Sequence, residues 1–117
     1  MVEVKNKRVF LSGPMSDDPE TYHAFDFIEA HVKLKKLGAR VVYDPLVEWL
    51  REEGETRSHE HYMKVCITEL MRNDGYGDLF YDLLVQLPDW DLSKGANTEY
   101  EVAKACGIPI CGIDEVV

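Results

Sequence analysis

The chain predicts an α/β fold: a parallel sheet with helices packed on both faces. Three observations predict it. Short apolar runs rich in Val, Ile and Leu alternate with longer segments of helical spacing, in the order β-α-β-α-β-α-β. The runs stop at clusters of Ser, Gly, Pro and Asp, whereas the helical segments stop at Gly. At 117 residues and 45% hydrophobic content, one domain spanning 1–117 with a real core is expected, and two are not.

Lys7 to Leu11 reads as the first strand, ended by the turn Ser12-Gly13-Pro14-Met15 and a polar loop through Glu20. A helix is predicted from about Thr21, a plausible N-cap, to Leu37. Its apolar positions are Phe25, Ile28, His31 or Val32, Leu34 or Lys35, and Leu37. Lys33, Lys35 and Lys36 suit its C-terminal dipole, and Gly38 suits its C′ position. Val41 to Tyr43 is the second strand, stopped by Asp44-Pro45. Leu46 to Arg51 is a candidate short helix, and Glu52 to Ser58 a charged loop. His59 to Met71 reads as a helix with Tyr62, Val65, Cys66 and Leu70 on one face, broken by Asn73 to Gly77. Asp82 to Leu87 is the third strand. Ala96 to Cys106 is a helix capped by Gly107, and Ile108 to Cys111 is the fourth strand.

Composition narrows function. A formal net charge of −9 argues against a nucleic-acid polymer and against anionic membrane as partners, but permits a small anionic ligand held locally. Cys66, Cys106 and Cys111 lack metal or disulfide spacing, and Cys106 and Cys111 read as buried thiols. No apolar leader or membrane-length run is read, which fits a reducing cytoplasm. His23, His59 and His61 have no ligand spacing, so no metal and no cofactor are expected.

In parallel α/β sheets, ligands bind outside the carboxyl ends of the strands. The loops there are Ser12 to Tyr22, Asp44 to Trp49 and Pro88 to Glu99. In the last, Ser93 and the N–H groups around Gly95 and Ala96 form a strand-to-helix turn able to hold an anion. Glu99 follows in the first turn of the helix, either as nucleophile or general base, or as an idle acid favourable to the dipole. Ser12-Gly13 divides evenly between a phosphate or sugar contact and an ordinary turn. It is neither a P-loop nor a dinucleotide fingerprint. Tyr22, Tyr43, Trp49, Tyr62 and Trp90 are candidates to stack on a base, Trp90 foremost. Asp89 and Asp91 are candidates to orient a ribose hydroxyl or to cap the loop.

The ordered set Ser12 to Met15, Gly38, Pro45, Tyr62-Met63, Leu87-Pro88-Asp89-Trp90 and Ser93 to Glu99 resembles the nucleoside 2-deoxyribosyltransferase superfamily. The likeness is greatest to its small bacterial and phage branch and covers nearly the whole chain. The resemblance implies a flavodoxin-like Rossmannoid three-layer sandwich with a four- to five-stranded parallel sheet. It implies cleavage of an N-glycosidic bond, with Glu99 attacking the anomeric carbon, by hydrolysis or by transfer to a second base. Ser93 stands where the 2′-deoxynucleoside 5′-monophosphate N-hydrolases of the superfamily carry a phosphate-binding serine. The substrate-binding set so implied is Ser12, Gly13, Pro14, Met15, Tyr22, Asp89, Trp90, Ser93, Gly95 and Ala96, with a nucleoside or nucleotide as partner and a homodimer or higher homo-oligomer as assembly. The chain departs from the pattern at Cys66, which occupies the position of the superfamily's base-protonating aspartate, so that Glu69 or Asp74 would have to serve. It departs again at Gly75 to Tyr81, an insertion, and at Asp17-Asp18, where phosphate-gripping arginines are often found. Two non-enzymatic readings stand beside this one: a nucleotide or nucleotide-sugar binding module using the same cleft, and an acidic interaction subunit.

Overall fold

The structure, a computed structural model, describes residues 1–15, 23–47 and 59–117, with only the backbone of His23 and His59. Four strands, β1 (Arg8–Ser12), β2 (Val41–Tyr43), β3 (Leu83–Gln86) and β4 (Ile110–Gly112), form one sheet in the order β2-β1-β3-β4. All pairings are parallel. Three α-helices lie among the described residues: α1 (His23–Lys36), α2 (His59–Leu70) and α3 (Lys94–Cys106). Short 3-10 turns occupy Trp90–Leu92 and Ile113–Glu115, and residues 45–47 are helical. This is the predicted α/β architecture, consistent with a flavodoxin-like three-layer fold, with four strands.

The chain moves from β1 outward to β2, then returns past β1 to β3 and β4. With right-handed crossovers, that reversal puts α1 on one face and α2 and α3 on the other. The buried residues divide accordingly. Val9, Leu11, Leu83 and Val85 pack with Phe27, Ala30 and Leu34 of α1. Phe10 and Leu84 pack with Tyr62, Cys66 and Leu70 of α2 and Ala103 of α3. Strand alternation thus feeds two cores from one sheet. The ends of the chain cover part of the α1 face: Val2 and Val116 form a parallel bridge, and Val4 and Val116 are buried.

α1 differs from the predicted pattern. Its buried stripe is Phe27, Ala30 and Leu34, whereas Phe25, Ile28 and Val32 are exposed. The helix carries two apolar stripes, each spaced i, i+3, i+7, and the sheet covers one. The small Ala30 lets the helix approach the sheet closely on that side. The helix ends as expected: Gly38 takes φ +94°, and the Ala39 N–H reaches back to the Leu34 carbonyl at 3.0 Å. Thr21, its proposed N-cap, lies outside the described residues, as do Asp17, Asp18, Tyr22, Trp49 and the loop Glu52 to Ser58.

α3 begins earlier than read, at Lys94, with Ser93 as its N-cap and Gly107 in the left-handed conformation as its C-cap. Cys66 and Cys111 are buried and outside any disulfide, but Cys106 is exposed. The buried stripe of α3 runs Ala96, Glu99, Ala103 and then stops, because Gly107 turns the chain toward β4 and leaves the last helical turn in solvent. Among the described residues no helix is long and apolar enough to cross a membrane.

Candidate active site at the carboxyl end of the sheet

Strand order reverses between β1 and β3, and the crevice outside their carboxyl ends is where such sheets take ligands. Ser12 ends β1 and is fully buried. Its parity along the strand turns it toward the α2 and α3 face, the face of Phe10 two residues earlier. There it meets Glu99, from the first two turns of α3: Ser12 Oγ donates to Glu99 Oε1 at 2.7 Å, across 87 residues of sequence. Two of the sequence candidates are therefore one unit.

Glu99 is 4% exposed. Burial pushes its carboxyl up to about 7 from 4.5, against the lowering effect of the Ser12 hydrogen bond. A carboxylate this poor in solvation and partners is poised to accept a proton near neutrality or to meet a positive charge. Tyr62, in the first turn of α2, borders the same space. Its hydroxyl donates to the Pro45 carbonyl at 2.6 Å, and burial, with Cys66 and Glu99 nearby, pushes its phenol far above its ordinary range. Cys66, one turn further along α2, is buried and lies 3.9 Å from the Tyr43 hydroxyl.

The predicted anion turn serves first as a helix cap. Ser93 Oγ accepts from the Ala96 N–H at 3.2 Å, which leaves the hydroxyl hydrogen able to donate elsewhere. A Cβ on Gly95 would lie 2.9 Å from Met63 Sδ, and one on Gly13 would lie 2.8 Å from Leu87 Cβ. Both glycines thus have a packing reason: Gly95 admits α2 against α3, and Gly13 admits β3's exit beside β1. Pro14 is buried, and Met15 packs against both cores. Trp90 lies against Tyr100, ring centroids 5.0 Å apart, on the flank of α3. Asp89 is exposed, in the left-handed conformation at φ 64°. Tyr22 lies outside the described residues.

Glu69 and Asp74 are not brought to Glu99. α2 runs antiparallel to the strands, so its last turn and the loop after it lie at the amino end of the sheet. Glu69 accepts from the Tyr81 hydroxyl at 2.7 Å and from Arg72 at 3.3 Å. It lines a separate groove of about 720 Å³ beside the edge strand β2, with His31, Asp44, Lys64 and Arg72. Asp74 closes its own turn, accepting from the Tyr76 N–H at 2.7 Å and the Asp78 N–H at 3.3 Å. The resemblance offers these two acids in place of Cys66; the direction of α2 sets them apart from Ser12 and Glu99.

Sequence reading missed Gln86. It ends β3, pairs in register with Ser12 and is 8% exposed, and its Nε2 is buried without a hydrogen-bond partner among the described residues. The available signal was a lone polar residue inside Leu83 to Leu87, since strands of a parallel sheet covered on both faces read as continuous apolar runs. No group of three or more His, Cys, Asp or Glu among the described residues is arranged to hold a metal ion.

No curated protein and no solved structure matches the chain. A family model does, over residues 7–112, which takes in every strand and both halves of the Ser12–Glu99 pair. The chain belongs to the family described as domain of unknown function DUF4406.

Proposed function

We propose that the protein cleaves the N-glycosidic bond of a nucleoside 5′-monophosphate, with Glu99 as nucleophile. The observation that carries this reading is the buried Glu99 carboxylate, hydrogen-bonded by Ser12, at the point where the strand order reverses. Breaking a glycosidic bond develops positive charge at the anomeric carbon, and an under-solvated carboxylate gains most from exactly that charge. Glu99 Oε2 is the oxygen left free of Ser12. It forms the bond to C1′ as the C1′–N bond breaks, and the base leaves with the electron pair and takes a proton from water. Water then attacks C1′ and loses its proton to the medium, and the Glu99 carboxylate is restored. A second base in place of water gives transfer instead of hydrolysis. Ser12 holds the carboxylate in place, and Ser93, with the N–H groups at the start of α3, receives the phosphate.

A second reading, a nucleotide-binding module without turnover, is favoured by Cys66, a buried thiol where the superfamily resemblance places an acid. One assay separates the two. The protein is incubated with ribo- and 2′-deoxyribonucleoside 5′-monophosphates, and free base is measured by chromatography. Release abolished in Glu99→Gln supports the enzyme. Saturable binding without release supports the module, and release undiminished in Glu99→Gln refutes the nucleophile. Three cysteines outside any disulfide fit a reducing cytoplasm. The exposed stripe Phe25, Ile28 and Val32 on α1 supports a homo-oligomer, measured by sedimentation.

A further inference from the structure

We infer that Gln86 reads the 2′-hydroxyl of the sugar, so that this site prefers ribose over 2′-deoxyribose; the inference rests on the N-glycosidase reading above. Gln86 and Ser12 are register partners on neighbouring parallel strands, about 4.8 Å apart, and their side chains share a face. Ser12 is itself 2.7 Å from the Glu99 carboxylate. Gln86 is thus one strand spacing from the nucleophile's own hydrogen-bond donor. Its amide nitrogen is buried and unpaired among the described residues, an uncommon condition for a native side chain. Leu83, Leu84, Val85 and Leu87 around it show that an apolar residue suits this strand, so a carboxamide here calls for a partner that arrives with the ligand.

Stereochemistry selects the partner. In a β-nucleoside the base leaves from one face of the ring, and the nucleophile approaches C1′ from the other. The 2′-hydroxyl of ribose projects on that same lower face, from the carbon next to C1′. The 5′-phosphate hangs from the far side of the ring. A donor beside the attacking carboxylate therefore faces the 2′-hydroxyl, which can accept from Nε2. A 2′-deoxy sugar leaves the donor unpaired, and sites built around a hydroxyl reject analogues that lack it.

The test compares binding of ribose 5-phosphate and 2-deoxyribose 5-phosphate by calorimetry, with wild type and Gln86→Met, whose side chain has similar length and no donor. Wild type should bind the ribose compound roughly 10- to 100-fold more tightly, and the ratio should fall to near one in the variant. A wild-type ratio near or below one, or a ratio unchanged by Gln86→Met, overturns the inference. If the variant does not fold, the wild-type ratio, with 2-deoxy-2-fluororibose 5-phosphate binding like the deoxy compound, decides alone. Because these probes are not cleaved, the result is independent of turnover: absent base release refutes the N-glycosidase reading, whereas an absent ribose preference refutes the role of Gln86.

Discussion

Glu99→Gln removes a carboxyl group that the fold desolvates whenever it is charged, and it should stabilise the protein in a pH-dependent way. The group is 4% exposed and pushed up to about 7 from 4.5. A carboxyl whose pKa rises on folding favours the native state in its neutral form. That contribution is complete below the unfolded value and is lost as pH rises through the folded one. At about pH 8 the loss amounts to roughly 3 kcal/mol, at about 1.4 kcal/mol per pKa unit, and at about pH 4.5 to only a few tenths. Gln keeps the shape and an oxygen to accept from Ser12, so the variant escapes the loss. For a chain of this size 1 kcal/mol moves Tm by roughly 3–6 °C, so Glu99→Gln should melt roughly 10–15 °C above wild type at about pH 8 and within about 2 °C of it at about pH 4.5. Calorimetric melts across this pH range measure it. A difference of the same size at both ends would refute the reasoning, since a solvated carboxyl has no such dependence.

The hydrogen bond from Ser12 lowers the Glu99 pKa, so Ser12→Ala should raise the midpoint of its titration; carbon NMR of labelled Glu follows it, and an unmoved midpoint contradicts the pairing. Ser93→Ala removes the N-cap of α3 and should cost about 1 kcal/mol, read as a lower denaturation midpoint with unchanged slope. Gly13→Ala should cost roughly 1–3 kcal/mol by driving a methyl against Leu87. In a double-mutant cycle with Leu87→Ala the two losses should fall short of additive by at least about 0.5 kcal/mol, whereas strict additivity would show that the contact is not the cause.

The order of elements was legible because each strand is a short apolar run and each helix end carries its own signal, as at Gly38 and Gly107. Which stripe of α1 is buried was not legible. Phe25-Ile28-Val32 and Phe27-Ala30-Leu34 have the same period, and only the sheet beneath chooses between them. The site divides along the same line. Ser12 and Glu99 were both visible as candidates, each at the end or start of an element on the ligand-binding side. Their contact spans 87 residues and depends on β1 and β3 being neighbours, a fact of topology. Glu69 and Asp74, offered in place of Cys66, lie toward the other end of the sheet, and which end a helix reaches is again a fact of topology.

Burial of Glu99 has no stabilising return. The same site with glutamine would keep the Ser12 contact and the packing while shedding the desolvation loss, and Gln86 beside it leaves a donor unpaired. Two neighbouring positions thus carry polar groups that the empty fold would be more stable without. Under the proposed N-glycosidase function, groups that weaken the free protein in this way gain their partners from the substrate. A ligand able to satisfy both must present positive charge to a carboxylate and an acceptor to an amide within about one strand spacing of each other. The anomeric carbon of a ribonucleotide, with the hydroxyl on the adjacent carbon, offers that combination.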